Sequence, residues 1–345
     1  MKLLVLCLLP LFYCLTECYS QGIKLNDEYT FMFYNTENLY DPANDSIKGD
    51  DEFTPQGVRR WNYGRLRDKC NRLSKVILAA GQWNTPILVG LCEIENQEVL
   101  ERLVKQTPLN KQEFKIIHKD SPDERGIDVA LLYRPELFKP FHYKAIQVVD
   151  PLNAKFKTRE ILQVSGILNN CDTIHVFVNH WPSRYGGLME TNRLRSLAAG
   201  VLKQSIMELF GKYPKAKIVC MGDFNDTPED ESLFKVLNAR KIDDPELKGE
   251  MINLSFQWMS RSVQTLKNNY SWQVFDQWIV SDYFMENSNC LTFLGANIFD
   301  ASYLLEPDIK YGGVKPKRTY VGFKYQDGFS DHLPVLLKVR LANND

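Results

Sequence analysis

The chain has 345 residues, 44% hydrophobic and 25% charged, with a formal net charge of −1. These values exclude a disordered or fibrous chain. They also exclude a global basic field that would bind polyanions tightly and indiscriminately, while a small charged substrate or a local basic patch remains compatible.

Lys2 is followed by an apolar run, Leu3 to Leu15, and a more polar stretch ending Cys18-Tyr19-Ser20. That order predicts a secretory signal over residues 1–20, cleaved after Ser20, and a secreted or periplasmic protein. The run is too short for a membrane span, and no other apolar stretch is long enough for one. A lipid anchor on Cys18 is disfavoured by Glu17 directly before it, where such signals prefer a small residue. Residues 21–345 then read as a single domain holding five cysteines, Cys70, Cys92, Cys171, Cys220 and Cys290. Their wide spacing fits no zinc pattern. Small buried hydrophobes are the expectation for most of them, with a disulfide left open.

Strand-length apolar runs follow at Tyr29–Tyr34, Ile87–Cys92, Asp128–Tyr133, Ile161–Leu168, Ile174–Asn179, Lys217–Met221, Gln277–Ser281, Leu291–Leu294 and Val335–Leu341. Ile87–Cys92 is apolar on both faces, as a central strand is. Leu66, Cys70, Leu73, Ile77 and Ala80 recur at helical spacing, and Leu194, Leu197, Val201 and Phe210 mark a second helix over about Thr191–Phe210. Ala239–Trp272 has little periodicity and reads as an insertion or irregular connection.

Polar residues cap the C-terminal ends of four runs: Asn35, Glu93, His180 and Asp223. Asp276 and the pair Asp331-His332 instead precede runs. If all of them converge, the last two strands run antiparallel to the first four. The pattern therefore predicts an α/β fold with mixed sheets and helices outside.

Three segments carry the most chemistry. Glu93 ends an apolar run, where a charge is costly unless paired or metal-bound. In Met221-Gly222-Asp223-Phe224-Asn225 the glycine allows a tight turn, and Asp223 and Asn225 face one way. Ser330-Asp331-His332-Leu333-Pro334 puts a carboxylate beside an imidazole at a strand mouth. Phosphodiester hydrolysis needs a hard cation on oxygen ligands, an oriented water and a stabilised leaving oxygen, and these groups can supply all three.

The residues Phe33-Tyr34-Asn35-Thr36-Glu37-Asn38-Leu39, Gly90-Leu91-Cys92-Glu93, Gly126-Ile127-Asp128-Val129-Ala130, Val178-Asn179-His180-Trp181, Met221 to Asn225, Phe275-Asp276 and Ser330 to Pro334 occur in one order. Together they resemble the endonuclease/exonuclease/phosphatase superfamily, over about residues 29–341, and look most like extracellular nucleases of bacteria. The resemblance implies a four-layer α/β sandwich, two packed mixed β-sheets flanked by helices. It implies Mg²⁺ or Mn²⁺ at Asn35, Glu93 and Asp331, and a water and phosphate oriented by Asp223 and Asn225. His332 is then the catalytic histidine, oriented by Asp276. His180 matches the phosphate-binding histidine of deoxyribonuclease-like members and is unlike abasic-site enzymes. Asp128 takes a supporting role.

Arg184, in the loop after His180, could grip a phosphate. Lys317, Arg318 and Tyr320, within a basic segment from Lys315 to Lys324, are further substrate-binding candidates. The Arg59-to-Arg72 basic run reads as the solvated side of a helix, and His118 and His142 as structural or exposed. The expected partner is a phosphate-ester substrate, foremost nucleic acid, with no protein partner inferred. The alternatives are a phosphatase or phospholipase acting on inositol phosphates or sphingomyelin-like headgroups, and an inactive phosphate-binding module.

Overall fold

The computed structural model describes residues 27–45, 48–82, 84–244 and 251–342. The expected signal over residues 1–20 lies outside the described residues. Thirteen strands build two sheets. The first contains β1 (Glu28–Leu39), β2 (Leu88–Ile94), β3 (Lys115–His118) and β4 (Asp128–Tyr133). The second contains β5 (Phe138–Ile146), β6 (Ile161–Leu168), β7 (Asp172–His180), β8 (Lys217–Asp223), β9 (Ala239–Arg240), β10 (Met251–Asn253) and β11 (Asp276–Ser281). The chain then returns to the first sheet with β12 (Leu291–Ile298) and β13 (Val335–Leu341). The strand orders are β12-β13-β1-β2-β4-β3 and β5-β6-β7-β8-β11-β10-β9.

Both sheets are mixed, as the placement of polar residues required. β1 runs parallel to β2 and antiparallel to β13. β7 runs parallel to β8, and β8 antiparallel to β11. Strand ends that are far apart in sequence therefore meet at one edge.

The alternation of side chains separates the layers. On β8, Val219 and Met221 join the core shared with the first sheet, while Ile218 and Cys220 join a second core. That second core includes Ala198, Ala199, Leu202 and Ile206 of the helix Leu188–Lys212. Leu66, Cys70, Leu73 and Ile77 of the helix α1 (Tyr63–Ala80) cover the first sheet. Asn62 caps α1, its side chain accepting from the Arg65 amide at 3.1 Å. The sheets approach closely at Gly90, where a Cβ would meet the Met221 sulfur at 2.3 Å.

Gly222 departs from the expected tight turn. It lies inside β8, and a Cβ there would stand 2.5 Å from the Asn179 carbonyl oxygen. Its function is close strand approach. The residues from Ala239 to Trp272 also do more than connect. They supply β9, β10, a 3₁₀ turn at Leu254–Trp258 and most of the hairpin Leu266–Asn268/Ser271–Gln273. Cys171 and Cys290 form a disulfide, and Cys70, Cys92 and Cys220 are free and buried. Among the described residues no helix is long and apolar enough to cross a membrane.

Candidate active site

Two strands buckle where they deliver polar side chains. β1 loses register with β2 between Asn35 and Leu39, and Glu37 and Asn38 take φ values of 53° and 59°. β2 shifts against β4 between Cys92 and Ile94, with Glu93 at φ 59°. Left-handed backbone at non-glycine residues is costly and persists only where surrounding structure over-determines it. Thr36 contributes to that hold, its hydroxyl donating to the carbonyls of Cys92 and Glu93 at 2.9 and 3.1 Å.

Asp223, at the end of β8, is the hub. Its Oδ2 accepts from Asn35 Nδ2 at 3.1 Å across the two sheets. The same oxygen stands 3.8 Å from Nε2 of His180 and 3.8 Å from Nε2 of His332. Its Oδ1 accepts from the Asn225 amide at 3.0 Å. Asn225, at φ 52°, anchors its own side chain to the Trp181 carbonyl at 3.0 Å. His332 shares a 2.7 Å hydrogen bond between its Nδ1 and Asp276 Oδ2. Glu93 Oε2 accepts from the Asn38 amide at 2.8 Å, and its Oε1 lies 3.4 Å from Asn35 Nδ2 and 3.9 Å from His180 Nε2. The structure thus brings Asn35, Glu93, His180, Asp223, Asn225, Asp276 and His332 together.

Electrostatics separates the two histidines. Burial opposes charge on His332, but Asp276, Asp223 and Asp331 outweigh it and raise its pKa well above the ordinary value. His180 is lowered well below its ordinary value by burial and by Arg159, Arg125 and His332. Its Nδ1 is buried without a hydrogen-bond partner among the described residues. Burial pushes Asp223 up to about 6, with His332 partly offsetting it. At neutral pH the site therefore holds a neutral His180, an imidazolium at His332 and an ionised Asp223 of raised basicity.

Asp331 is held differently. Its Oδ2 accepts from Arg318 Nη2 at 2.8 Å, and Arg318 Nε reaches Glu37 at 3.3 Å. Burial opposes ionisation of Asp331, yet Arg318, His332 and Lys69 keep its pKa lowered. Arg318, expected to meet substrate, is thus already engaged with two carboxylates. Arg184 is similarly committed, to the Asn225 carbonyl at 2.8 Å, to Asp226 at 2.9 Å and to Asp230 at 2.6 Å. Tyr320 is buried, and its hydroxyl donates to the Arg59 carbonyl at 3.0 Å. Lys317 is half-buried and has no ion-pair partner among the described residues.

Two clusters of described residues bring three candidate ligand atoms within 4.8 Å: Asp223 with Asp276 and His332, and His118 with Asp120 and Asp128. A cation in the first would displace the Asp276–His332 hydrogen bond, so its geometry favours an acid–base pair. In the second, Asp128 is occupied by the Ser121 amide at 2.7 Å and by His118 at 3.2 Å. Glu93 keeps one oxygen turned to the site. Asn35 directs its amide nitrogen at the carboxylates while its oxygen accepts from the Glu37 amide at 2.9 Å.

Several site-building residues escaped the sequence reading. Ser330 donates to the Asn35 carbonyl at 2.7 Å and accepts from the His332 amide at 3.1 Å. Thr265 accepts from the Phe275 and Asp276 amides at 3.0 and 3.2 Å. Arg159 binds the His180 and Trp181 carbonyls at 3.3 and 2.6 Å. Glu37 accepts from the Thr319 amide at 2.5 Å, and buried Lys69 donates to Thr319 Oγ1 and the Phe329 carbonyl. Ser330 and Glu37 lie inside motifs and were detectable by position. Thr265, Arg159 and Lys69 carry no local signal.

Comparison with known proteins agrees with this fold. Among solved structures, humanized D. rerio TDP2 matches with a TM-score of 0.56 and 13% identity, over 91% of this chain and 99% of that one. The human Nocturnin catalytic domain matches with a TM-score of 0.53 and 15% identity, over 93% and 97%. An endonuclease/exonuclease/phosphatase family protein from Bacteroides thetaiotaomicron gives 0.55 and 15%, over 92% and 96%. At such identities these likenesses establish the fold alone. Comparison with curated proteins gives no match. A family model does match, over residues 30–341, a span that takes in every strand of both sheets except the first two residues of β1. The chain belongs to the endonuclease/exonuclease/phosphatase family and is a hydrolase acting on phosphate ester bonds.

Proposed function

We propose that residues 21–345 form one catalytic domain, an exported, divalent-metal-dependent phosphodiesterase that cleaves nucleic acid. The observation that carries the reading is the Asp276–His332 pair aimed at Asp223, with Asn35 and His180 closing the same space. A hydrogen-bonded carboxylate fixes the imidazole tautomer and favours its charged form.

The donor set suits a hard cation. Glu93 would hold Mg²⁺ or Mn²⁺ through Oε1, with Asp331 as the second carboxylate and Asn35 ordering both Glu93 and Asp223. When bound, such an ion polarises the phosphoryl oxygen and offsets its charge. Asp223, basic for a carboxylate yet ionised at neutral pH, orients the attacking water and takes its proton, with Asn225 fixing its angle. His332, charged and held by Asp276, donates from Nε2 to the phosphate. Neutral His180 lends a hydrogen bond from the opposite sheet.

Nucleic acid is favoured as substrate by one neighbour in particular, a D. rerio TDP2 structure complexed with single strand DNA product. Export is supported by the apolar run after Lys2 and by the Cys171–Cys290 disulfide, since such bonds persist in oxidising compartments.

The test is a substrate panel of DNA, RNA, bis-p-nitrophenyl phosphate, inositol phosphates and sphingomyelin, with Mg²⁺ or Mn²⁺. Nucleic acid should be turned over, and EDTA should abolish activity. Turnover confined to inositol phosphates or sphingomyelin would replace the nuclease reading. Activity that survives full chelation would remove the metal from it. N-terminal sequencing of the secreted protein should begin at or near Gln21.

A further inference from the structure

Residues 57–67 carry Arg59, Arg60, Arg65 and Arg67, residues 315–325 carry Lys315, Lys317, Arg318 and Lys324, and neither stretch holds an Asp or Glu. In a chain of net charge −1 that is a strong local concentration.

The fold lays one stretch on the other, contrary to the expectation that the arginine run is merely the solvated side of a helix. Tyr320–Val321 pairs antiparallel with Lys324–Tyr325, making a hairpin whose tip is Gly322-Phe323. Arg59 Nη1 donates to the Gly322 carbonyl at 2.9 Å. Its guanidinium lies 5.2 Å from the Tyr320 ring centroid and 5.5 Å from that of Phe323. Arg65 lies 4.3 Å from the Tyr325 ring. The base of the hairpin is tied to the candidate site, because the Thr319 amide donates to Glu37 and Arg318 to Asp331.

Several of these cations have carboxylate partners: Arg59 with Glu52, Arg67 with Asp68, Lys315 with Glu306. Arg60, Lys317 and Lys324 have none among the described residues, and Arg60 and Lys324 are exposed. At the tip Phe323 is 63% exposed, braced on one side by Arg59.

We propose that Phe323 is a stacking platform for an unpaired nucleobase, with Lys324, Lys317 and Arg60 taking the adjoining phosphates, so that the protein prefers single-stranded over duplex nucleic acid. The proposal rests on the nuclease reading above. An aromatic ring on a basic rim binds any base whose face is free, and paired bases in a duplex have both faces covered. Cations without local counterions are the ones that remain available to phosphates.

The test is fluorescence anisotropy of labelled oligo(dT) and of a labelled duplex, with EDTA present to stop turnover, on wild type, Phe323→Ala and Phe323→Trp. Phe323→Ala should raise the Kd for oligo(dT) about tenfold while the duplex changes less than about twofold, and Trp should restore binding. Hydrolysis of bis-p-nitrophenyl phosphate and thermal melting should stay at wild-type values in both variants, separating lost stacking from misfolding. The proposal is overturned if oligo(dT) binding is unchanged in Phe323→Ala, or if single strand and duplex weaken equally. It is also overturned if Phe323→Ala instead loses binding to phosphatidylserine vesicles, which would make the tip a membrane contact. A wild type that cleaves no nucleic acid removes the nuclease reading itself. A wild type that cleaves DNA, paired with a Phe323→Ala variant that binds oligo(dT) normally, removes only the platform.

Discussion

The Cys171–Cys290 disulfide should stabilise the protein without touching its chemistry. It closes a loop spanning 119 residues, from the turn before β7 to the residue before β12. Both positions lie at the end of the sandwich away from the candidate site, since the site uses the end of β7 at His180 and the residues just before β13. Chain-entropy arguments put the effect of closing a loop of that length at about 5 kcal/mol. At about 2.1 cal/mol/K of unfolding entropy per residue, this corresponds to a loss of about 7 °C in melting temperature. The assay compares wild type with Cys171→Ser/Cys290→Ser by thermal melting and by hydrolysis of bis-p-nitrophenyl phosphate. Thiol titration of unfolded, unreduced residues 21–345 should detect only Cys70, Cys92 and Cys220, all buried and free in the fold. The reasoning fails if the double variant melts with wild type, or if turnover falls in step with stability at temperatures where the variant is fully folded.

Asp223→Asn and His332→Ala should each lower turnover at least about a hundredfold. Asp223→Asn should melt at or above wild type because burial disfavours its charge, and His332→Ala below it because buried Asp276 loses its hydrogen-bonded partner. Wild-type turnover in either would sink the proposed roles. His175 shares a 2.7 Å hydrogen bond with Ser165, and burial lowers its pKa to about 4. Its folded pKa lies below the unfolded value of about 6.5, so its contribution is complete above that pH and is lost as pH falls toward 4. Between pH 7 and 5 the wild type should lose up to about 2 kcal/mol in urea unfolding from this group, less what solvent screening removes, and His175→Gln should not. A pH dependence identical in the two proteins would rule His175 out. Glu37→Ala should cost about 3–5 kcal/mol by leaving buried Lys69 and Arg318 short of a partner, while Glu37→Gln/Lys69→Met should cost less than the sum of its single changes. Additive costs would mean the two groups do not act as a pair.

The core strands were legible because burial and pleat leave a local trace. Asp128–Tyr133, Ile161–Leu168 and Val335–Leu341 have the bounds their apolar patterns predicted. The convergence of the polar strand ends was legible too, since buried strands tolerate Asn35, Glu93, His180 and Asp223 only where a partner waits. Other elements left little trace. β3 is four residues long, and β5 is an edge strand with Phe141 and Tyr143 exposed, so neither alternates clearly. The helix Gln97–Lys105 spans only nine residues, too few for a stripe to stand out.

Positive charge was the least legible property, and the reason is physical. A sequence states that a residue is cationic but not which carboxylate reaches it first. Arg184 and Arg318 were expected to face substrate because they lie near the motifs in the chain. The fold gives Arg184 to Asp226 and Asp230, and Arg318 to Glu37 and Asp331, through contacts up to 281 residues apart in sequence. An arginine fork held by two carboxylates is an organiser of the site: it sets the angle of Asp331 and keeps its pKa low. If the proposal above holds, contact with a polyanion falls to the cations without an ion-pair partner among the described residues, Arg60, Lys317 and Lys324. A net charge near zero is compatible with a local basic rim around Phe323, because Glu52 and Asp68 pair with Arg59 and Arg67 while Arg60, Lys317 and Lys324 have no ion-pair partner among the described residues.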